Sequence, residues 1–272
     1  MVEDEGDLTF SNGQNVPIKL EKLYKGQSCF LILSGPSLTN HDLNKLKQPG
    51  IVTFGVNNSA KIFRPNMWTC VDDPEKFLIS IWKDPSIMKF APIGKYKKKL
   101  FDNIKWEETN IQTSACPNVI YYHRNEHFNA ETFLTQTTVN WGNHKKYGGR
   151  RSVLMAAIKI LYVLGFTRVF LVGCDFKMEL DKPNYAWAQD RTNSSVKGNN
   201  TTYGEMKDRF TALRPLFEAA NFFIYNCNMN SEFKAFPFMD FNAAIDLALA
   251  DFPNTLTESA EGMYERKSNN SD

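Results

Sequence analysis

Short apolar runs alternate with helix-like segments along this chain, and each run is followed by a small or polar residue. The runs cover residues 29–33, 51–56, 67–71, 168–172 and 222–225. Runs of this length without polar alternation are typical of strands that are covered on both faces. Because strands that alternate with helices pair in parallel, the pattern predicts an α/β fold. We expect a mostly parallel, Rossmann-like sheet with helices on both faces.

The chain is long enough to bury one large core. It has 272 residues, of which 42% are hydrophobic, and this favours one domain over two. We expect a polar lead-in over residues 1–25, one domain over 26–252 with insertions at about 75–147 above one sheet edge, and a disordered tail over 253–272. Apolar spacing predicts helices over about 40–47, 75–82, 153–164, 205–220 and 240–250. The polar stretch 177–203 predicts a mobile loop beside the site.

Net charge, the length of the apolar runs and cysteine spacing limit the classes of protein that this chain can represent. A net charge of +2 is too small to identify a nucleic-acid-binding protein. No apolar run reaches transmembrane length, and the first residues are acidic where a secretory signal would be basic. The five cysteines lack paired C-x-x-C spacing, so we expect reduced packing residues. These features predict a soluble, cytoplasmic protein, or one of the host cytoplasm if the chain is viral.

The first junction of interest follows the first run. Gly35, between Ser34 and Pro36, has no side chain, so a ligand can come close to the backbone amides there. Ser37 offers a hydroxyl near the next helix. A tight strand-to-helix turn explains the same residues equally well.

After the second run, the amides of Asn57 and Asn58 are suited to read a nucleobase or sugar edge. The alternative for these two residues is a left-handed turn, which asparagine tolerates.

The second junction precedes the helix predicted to be most buried. Gly148, Gly149, Arg150, Arg151 and Ser152 lead into it, although cations are disfavoured at the positive end of a helix. An anion between the arginines would reverse that penalty, so this segment predicts a cradle for a diphosphate. The alternative is a pair of solvated surface arginines.

Several other polar side chains are candidates for chemistry. Asp72 and Asp73 end a run and predict a site for Mg²⁺ or Mn²⁺ bridging a diphosphate, or a contact to a ribose hydroxyl. Capping of the next helix is the alternative. Asp175 follows a core strand that has no need of a carboxylate, which favours a role in the site. His144, ahead of the double glycine, is the histidine best placed for acid or base work.

Two basic clusters interleave with aromatic residues. The first contains Lys95, Lys97, Lys98 and Lys99 around Tyr96, followed by Phe101 and Trp106, and the second contains Lys145, Lys146 and Tyr147. Such clusters suit a polyanionic acceptor, including DNA. A solvated face is the alternative interpretation.

The order of these motifs resembles bacterial sialyltransferases of glycosyltransferase family 42. The stretches that carry the resemblance are 32–38, 53–57, Asp72 or Asp73, 152–157, 164–166, 169–176 and 224–228, which includes Asn226. They are equally similar to a wider group from surface-polysaccharide loci, which also contains an archaeal pterin pyrophosphokinase. The resemblance spans about residues 26–250. It implies an A-type glycosyltransferase fold and a nucleotide donor held by the glycine turn, by the asparagine after the second strand and by the segment before the buried helix.

The chain departs from the sialyltransferase pattern at two places. It has Arg150, Arg151 and Ser152 where that family has Thr-Ser-Gly, which indicates a different donor, one with a diphosphate. The segment 200–204 lacks the family's general-base histidine, and Tyr203 is its nearest titratable group. Asp175 or His144 is then the candidate base.

The sequence therefore predicts a glycosyltransferase that uses a nucleotide-sugar donor. The acceptor is a surface glycan, or a hydroxymethylated base in DNA as in virus-encoded DNA glycosyltransferases. The sialyltransferases act without a metal, so the resemblance itself implies no firm cofactor. Two alternatives stay open: an ATP-dependent diphosphotransferase resembling pterin pyrophosphokinase, and a non-catalytic nucleotide-binding module.

Overall fold

The computed structural model describes residues 10–125, 128–140, 152–189, 191–250 and 261. The strands within these residues are β1 (Phe10–Ser11), β2 (Ser28–Ile32), β3 (Val52–Val56), β4 (Met67–Thr69), β5 (Met88–Pro92), β6 (Lys99–Asp102), β7 (Glu107–Gln112), β8 (Val119–Tyr122), β9 (Arg124–Asn125), β10 (Val139–Asn140), β11 (Arg168–Val172) and β12 (Phe223–Asn226). Among them, eight form the central sheet in the order β1-β8-β5-β4-β3-β2-β11-β12. All neighbours in that sheet are parallel except β1, which is antiparallel to β8.

Four α-helices lie within the described residues: α1 (Ile79–Lys83), α2 (Val153–Val163), α3 (Asn193–Ala219) and α4 (Phe241–Ala250). Short 3-10 helices cover Pro36–Asn40, Leu43–Lys47, Asn57–Lys61, Pro74–Lys76, Ile93–Lys95 and Thr113–Ala115. None of the described helices combines the length and the hydrophobicity that crossing a bilayer requires.

Helices cover both faces of the sheet because the side chains of its central strands are buried on both faces. In β2, Cys29 and Leu31 face a core that also contains α2 and α3, whereas Phe30 and Ile32 face a core that contains α4. Successive side chains of a strand point to opposite faces, so a strand buried throughout needs a layer on each side. The mostly parallel, Rossmann-like α/β sheet predicted from the apolar runs is therefore confirmed.

Helix α2 has the predicted position and burial. It is apolar all round, and its lysine, Lys159, is 1% exposed and donates hydrogen bonds to the carbonyl oxygens of Phe133 and Leu134 at 2.7 and 2.8 Å. Gly165 follows the helix with φ of +92°, the left-handed conformation that ends helices and that glycine adopts without strain.

Two parts of the sheet lie where the sequence predicts no core strand. Phe10 of β1 is fully buried, so the folded chain begins before the predicted boundary at residue 25. The region 75–147, expected to hold insertions with a strand only at 119–122, supplies both β5 and β8 to the central sheet. Strand β5 is hard to recognise because it contains Lys89, whose ammonium group is satisfied by the carbonyl oxygens of Asp84 and Ile87 at 2.6 and 2.8 Å.

Helix α3 begins at Asn193, inside the stretch expected to be a mobile loop. Its first half is polar, and its side chains bond to carbonyl oxygens four residues earlier: Asn199 to Ser195 at 2.8 Å and Thr202 to Gly198 at 3.0 Å. An apolar pattern cannot reveal such a segment. Residues 40–47, predicted as one α-helix, instead contribute to two 3-10 helices.

Candidate functional site

The strand order reverses between β2 and β11, and open parallel sheets bind ligands outside the carboxyl ends of the strands at such a switch point. A cavity of about 490 Å³ opens there, which we call the switch-point cavity. Residues predicted from the sequence that line it are Ser34, Gly35, Asn57, Asp72, Ser152, Asp175 and Tyr203. The structure thus brings together side chains that are up to 169 positions apart in the chain.

The turn after β2 lies directly against the turn after β11. The amide of Gly35 donates a hydrogen bond to the carbonyl oxygen of Gly173 at 2.9 Å. A Cβ atom at position 35 would lie 1.9 Å from Oδ2 of Asp175. Since Gly35 has φ of −69°, which any residue adopts, glycine is required here for space alone.

The carboxylate of Asp175 is held in place from both sides. Its Oδ2 accepts hydrogen bonds from the backbone amide and the hydroxyl of Ser37, at 3.2 and 2.8 Å, and its Oδ1 accepts one from Nδ2 of Asn228 at 3.1 Å. A carboxylate offers about four acceptor positions. Among the described residues three are taken, so Oδ1 retains one for a ligand.

The turn that carries Asp175 has an unusual backbone. Gly173 has φ of +73° and Phe176 has φ of +56°, a region that is costly for a bulky side chain. The Phe176 ring stacks on Tyr203 at 4.8 Å and on Phe233 at 4.1 Å, between ring centroids. These contacts hold the strained conformation that places Asp175 between the two glycines.

Tyr203 lines the switch-point cavity as a protonated phenol at neutral pH. Burial raises the pKa of Tyr203 well above its ordinary value of 10.0. A phenol with a raised pKa is a poor base and remains a hydrogen-bond donor. Tyr203 is therefore suited to donate a hydrogen bond to a ligand and not to accept its proton.

Asn57 lines this cavity and carries an unsatisfied polar atom in its side chain. It adopts φ of +50°, as the alternative of a left-handed turn predicts, and its carbonyl oxygen accepts a hydrogen bond from Nε1 of Trp68 at 2.7 Å. Its side-chain Oδ1 is buried and has no partner among the described residues. Burying such an atom is costly unless a ligand supplies a donor.

Asn58 has a different environment. Its Nδ2 donates to the carbonyl oxygen of Lys76 at 2.9 Å, and the residue does not line the cavity, although its own Oδ1 is also buried without a partner. Of the two asparagines that the sequence proposes, only Asn57 is placed to contact a ligand there.

The amino-terminal end of α2 faces the switch-point cavity. Ser152 is its N-cap and accepts a hydrogen bond from the amide of Leu154 at 3.2 Å, and both residues line the cavity together with Val153. The partial positive charge of a helix amino terminus favours an anion such as a phosphate. Five residues predicted for this region lie outside the described residues: His144, Gly148, Gly149, Arg150 and Arg151.

The two adjacent carboxylates point to different lysines. Asp72 lines the cavity, and its Oδ2 lies 3.8 Å from Nζ of Lys76. Asp73 accepts a hydrogen bond from Nζ of Lys95 at 2.7 Å, which lowers the pKa of Asp73. The described part of the chain contains no cluster of three or more His, Cys, Asp or Glu side chains able to hold a metal. A shared Mg²⁺ or Mn²⁺ at this pair stays a prediction.

Asn226, proposed from the sequence as a nucleotide ligand, has a structural position instead. It is 2% exposed and does not line the cavity. Its Oδ1 accepts a hydrogen bond from the amide of Asn228 at 3.0 Å, so it orients the residue that holds Asp175. The sequence motif that contains Asn226 therefore identified a residue that supports the site, although Asn226 itself does not contact the cavity.

A second and larger opening, which we call the outer cleft, adjoins the switch-point cavity. Its volume is about 1070 Å³, and Pro36 and Ser37 line it. The residues common to the two are Asp175, Asn184, Tyr185 and Arg191. Asp175 therefore lies on a wall that faces both spaces.

The sequence predicts the stretch 177–203 as a mobile loop beside the site, but apart from Tyr203 it does not predict the site residues there, because the order of this stretch depends on contacts distant in sequence. The amide of Ala186 donates to the carbonyl oxygen of Ser34 at 3.0 Å, and the side chain of Asn200 pairs with both backbone groups of Met178 at 2.9 Å. One signal was available: Ser195, Asn199 and Thr202 have helical spacing, and all line the switch-point cavity.

The first basic cluster lies outside both spaces. Lys95 pairs with Asp73, and Lys99 pairs with Glu108 at 2.8 Å between Nζ and Oε1. Lys97 and Lys98 are exposed. The second cluster, Lys145 to Tyr147, falls outside the described residues.

No family model matches this sequence, and no curated protein matches it. Among solved structures, it is similar to the sialyltransferase CstII from Campylobacter jejuni in complex with a substrate analogue, cytidine-5'-monophosphate, with 14% identity and a TM-score of 0.43 over 80% of this chain and 87% of that chain. It is also similar to the sialyltransferase CST-II in complex with trisaccharide acceptor and CMP, with 14% identity and a TM-score of 0.42 over 80% and 88% of the two chains. A likeness at this level does not establish family membership.

Proposed function

We propose that this chain is a glycosyltransferase that moves a sugar from a nucleotide-sugar donor to a hydroxyl group of an acceptor. The observation that carries the proposal is the position of Asp175, on the wall shared by the switch-point cavity and the outer cleft. Group transfer needs two substrates side by side with a proton acceptor at their junction.

The donor nucleotide fits the switch-point cavity. Without a side chain at Gly35, the backbone there is open to close approach by a ligand. The unpaired Oδ1 of Asn57 accepts a hydrogen bond from an N–H or O–H group of the nucleoside. The phosphate then lies at the amino-terminal end of α2, near Ser152.

In the proposed reaction, the acceptor oxygen forms a bond to the anomeric carbon of the donor sugar. The bond from that carbon to the phosphate oxygen breaks, and the nucleotide leaves with the electron pair. Oδ1 of Asp175 takes the proton of the acceptor hydroxyl, because it keeps an open acceptor position among the described residues.

Charge on the leaving phosphate is stabilised by the amides at the start of α2 and by Arg191, which lines both spaces. The predicted pair Arg150 and Arg151 would add to this, and His144 is the alternative base.

A nucleotide-release assay tests the proposal. The protein is first screened for thermal stabilisation by CMP, UDP, GDP and ATP, since a ligand that binds only the folded state raises the melting temperature. Sugar donors of the stabilising nucleotide are then tested for nucleotide release. We expect release by the wild type and a loss of about 10²–10⁴-fold in Asp175→Asn, which keeps the shape of the side chain.

The same assay distinguishes the alternatives. Binding without release from any sugar donor would indicate a nucleotide-binding module. Transfer of diphosphate from ATP would indicate a diphosphotransferase. Either result contradicts the proposal, as does an Asp175→Asn protein that binds and turns over the donor like the wild type.

A further inference from the structure

Trp187 and Tyr185 form a pair of stacked aromatic rings in the outer cleft. Their ring centroids are 5.2 Å apart with an interplanar angle of 23°. We infer that this pair, with Ala186 between them, is the platform on which an uncharged sugar ring of the acceptor stacks. This inference rests on the proposed function, and it selects a glycan acceptor over DNA. We call residues 185–187 the aromatic strip.

The strip is fixed to the machinery of the site. The amide of Ala186 donates to the carbonyl oxygen of Ser34 at 3.0 Å, which ties the strip to the glycine turn after β2. Nε1 of Trp187 donates to Oε1 of Gln189 at 3.0 Å, so the polar edge of the indole is occupied. The ring face that is turned away from Tyr185 is the surface proposed for the sugar. A rigid aromatic ring supplies contact area at low entropic cost.

The residues that line the two spaces show which end of the aromatic strip is nearer to the donor. Tyr185 lines both the switch-point cavity and the outer cleft, whereas Trp187 lines the outer cleft alone. Arg191 lies over the Tyr185 ring, with its guanidinium carbon 4.9 Å from the ring centroid. Tyr185 is therefore at the boundary with the donor, and Trp187 lies on the acceptor side. Asp175, also in the cleft, faces the acceptor from the shared wall.

The polar lining suits a saccharide. A pyranose has C–H faces that stack on an aromatic ring and hydroxyl edges that bind amide side chains. The outer cleft supplies such amides from Asn40, Gln189, Asn228 and Asn230. Both parts of a carbohydrate site are thus present.

The charges of the cleft disfavour a polyanion. Its lining carries three carboxylates, those of Asp175, Glu179 and Asp181, against the two cations of Lys182 and Arg191. Lys182 is already paired with Glu179. DNA binding depends on a row of unpaired cations along the phosphate backbone, whereas the described lining offers Arg191 alone besides the paired Lys182.

The test compares Trp187→Ala and Trp187→Phe with the wild type. Acceptor probes are a panel of methyl glycosides of glucose, galactose, mannose, N-acetylglucosamine and N-acetylgalactosamine, and a duplex carrying 5-hydroxymethylcytosine. We expect transfer to at least one glycoside, with an acceptor KM about tenfold higher in Trp187→Ala because the stacked area is lost. Trp187→Phe, which keeps an aromatic ring, should change the acceptor KM by no more than about threefold.

The outcomes separate the two proposals. If the wild type releases no nucleotide from any sugar donor, the proposed function itself fails. If release occurs but only the hydroxymethylated duplex accepts sugar, or no glycoside does, the platform inference is wrong. An acceptor KM in Trp187→Ala equal to that of the wild type would also overturn it.

Discussion

The contact between the two glycine turns predicts a large effect for the smallest possible substitution, Gly35→Ala. The new Cβ would lie 1.9 Å from Oδ2 of Asp175 and 2.6 Å from the carbonyl oxygen of Gly173, whereas ordinary contact begins near 3.4 Å. The carboxylate must therefore move by about 1.5 Å, away from both donors on Ser37. Hydrogen bonds to a charged group contribute about 1.5–3 kcal/mol, and overpacking costs about 1–3 kcal/mol. With the loss of one such hydrogen bond, we expect the free energy of unfolding to fall by about 2.5–6 kcal/mol.

Equilibrium unfolding in urea measures this change. Gly198→Ala is the matched control, because a Cβ at position 198 meets nothing within 4 Å and the residue lies inside α3. There the same substitution should stabilise the protein by up to about 1 kcal/mol, since alanine is the better helix former. A Gly35→Ala protein as stable as the wild type would show that the two turns do not pack as described.

Three further predictions concern single side chains. Asn57→Ala should weaken nucleotide binding about tenfold in calorimetric titration, whereas Asn58→Ala should leave it unchanged; equal effects would contradict the placement of the two amides. Asp72→Asn should alter the donor KM and Asp73→Asn should not, since only the first lines the cavity; steady-state kinetics with both variants decide this. Burial lowers the pKa of Lys89 from 10.5 to about 8. At pH values between these two, the unfolded chain keeps a proton that the folded chain has released. The free energy of unfolding therefore rises with pH in this range. The free energy of unfolding of the wild type relative to Lys89→Met should increase from about pH 7.5 to about pH 9.5, and a constant difference would contradict the shift.

The sequence predicted well the elements that are fully buried and whose apolar residues follow one another in the chain. Strands β2, β3 and β11 are continuous apolar runs, and α2 is apolar around its whole circumference, so hydrophobic pattern alone identifies them. Strand β5 was missed because a lysine inside it is satisfied by carbonyl oxygens that only the tertiary structure supplies. Short β1 was missed for a related reason, since its pairing partner β8 lies more than 100 residues away.

The site was predictable where a residue type is unusual for its local structure. Gly35, Asn57 and Asp175 each follow a core strand, and all three line the switch-point cavity. Asn226 follows a strand in the same way, but it is buried and supports Asn228. Position after a strand therefore selects residues near the site without distinguishing those that face a ligand from those that orient their neighbours.

The aromatic strip and the start of α3 could not be predicted because polar composition usually indicates a loop. Their order comes from backbone contacts, such as that between Ala186 and Ser34, that span more than 150 positions of the chain. Such contacts leave no periodic trace in the sequence.

A crystal structure grown with the most stabilising of the four nucleotides shows whether a nucleotide binds in the switch-point cavity. We expect density for the nucleotide against the backbone of Gly35, with a donor group within hydrogen-bond distance of Oδ1 of Asn57 and a phosphate at the start of α2. A cavity that stays empty at saturating nucleotide, or a nucleotide bound elsewhere on the protein, would contradict this expectation.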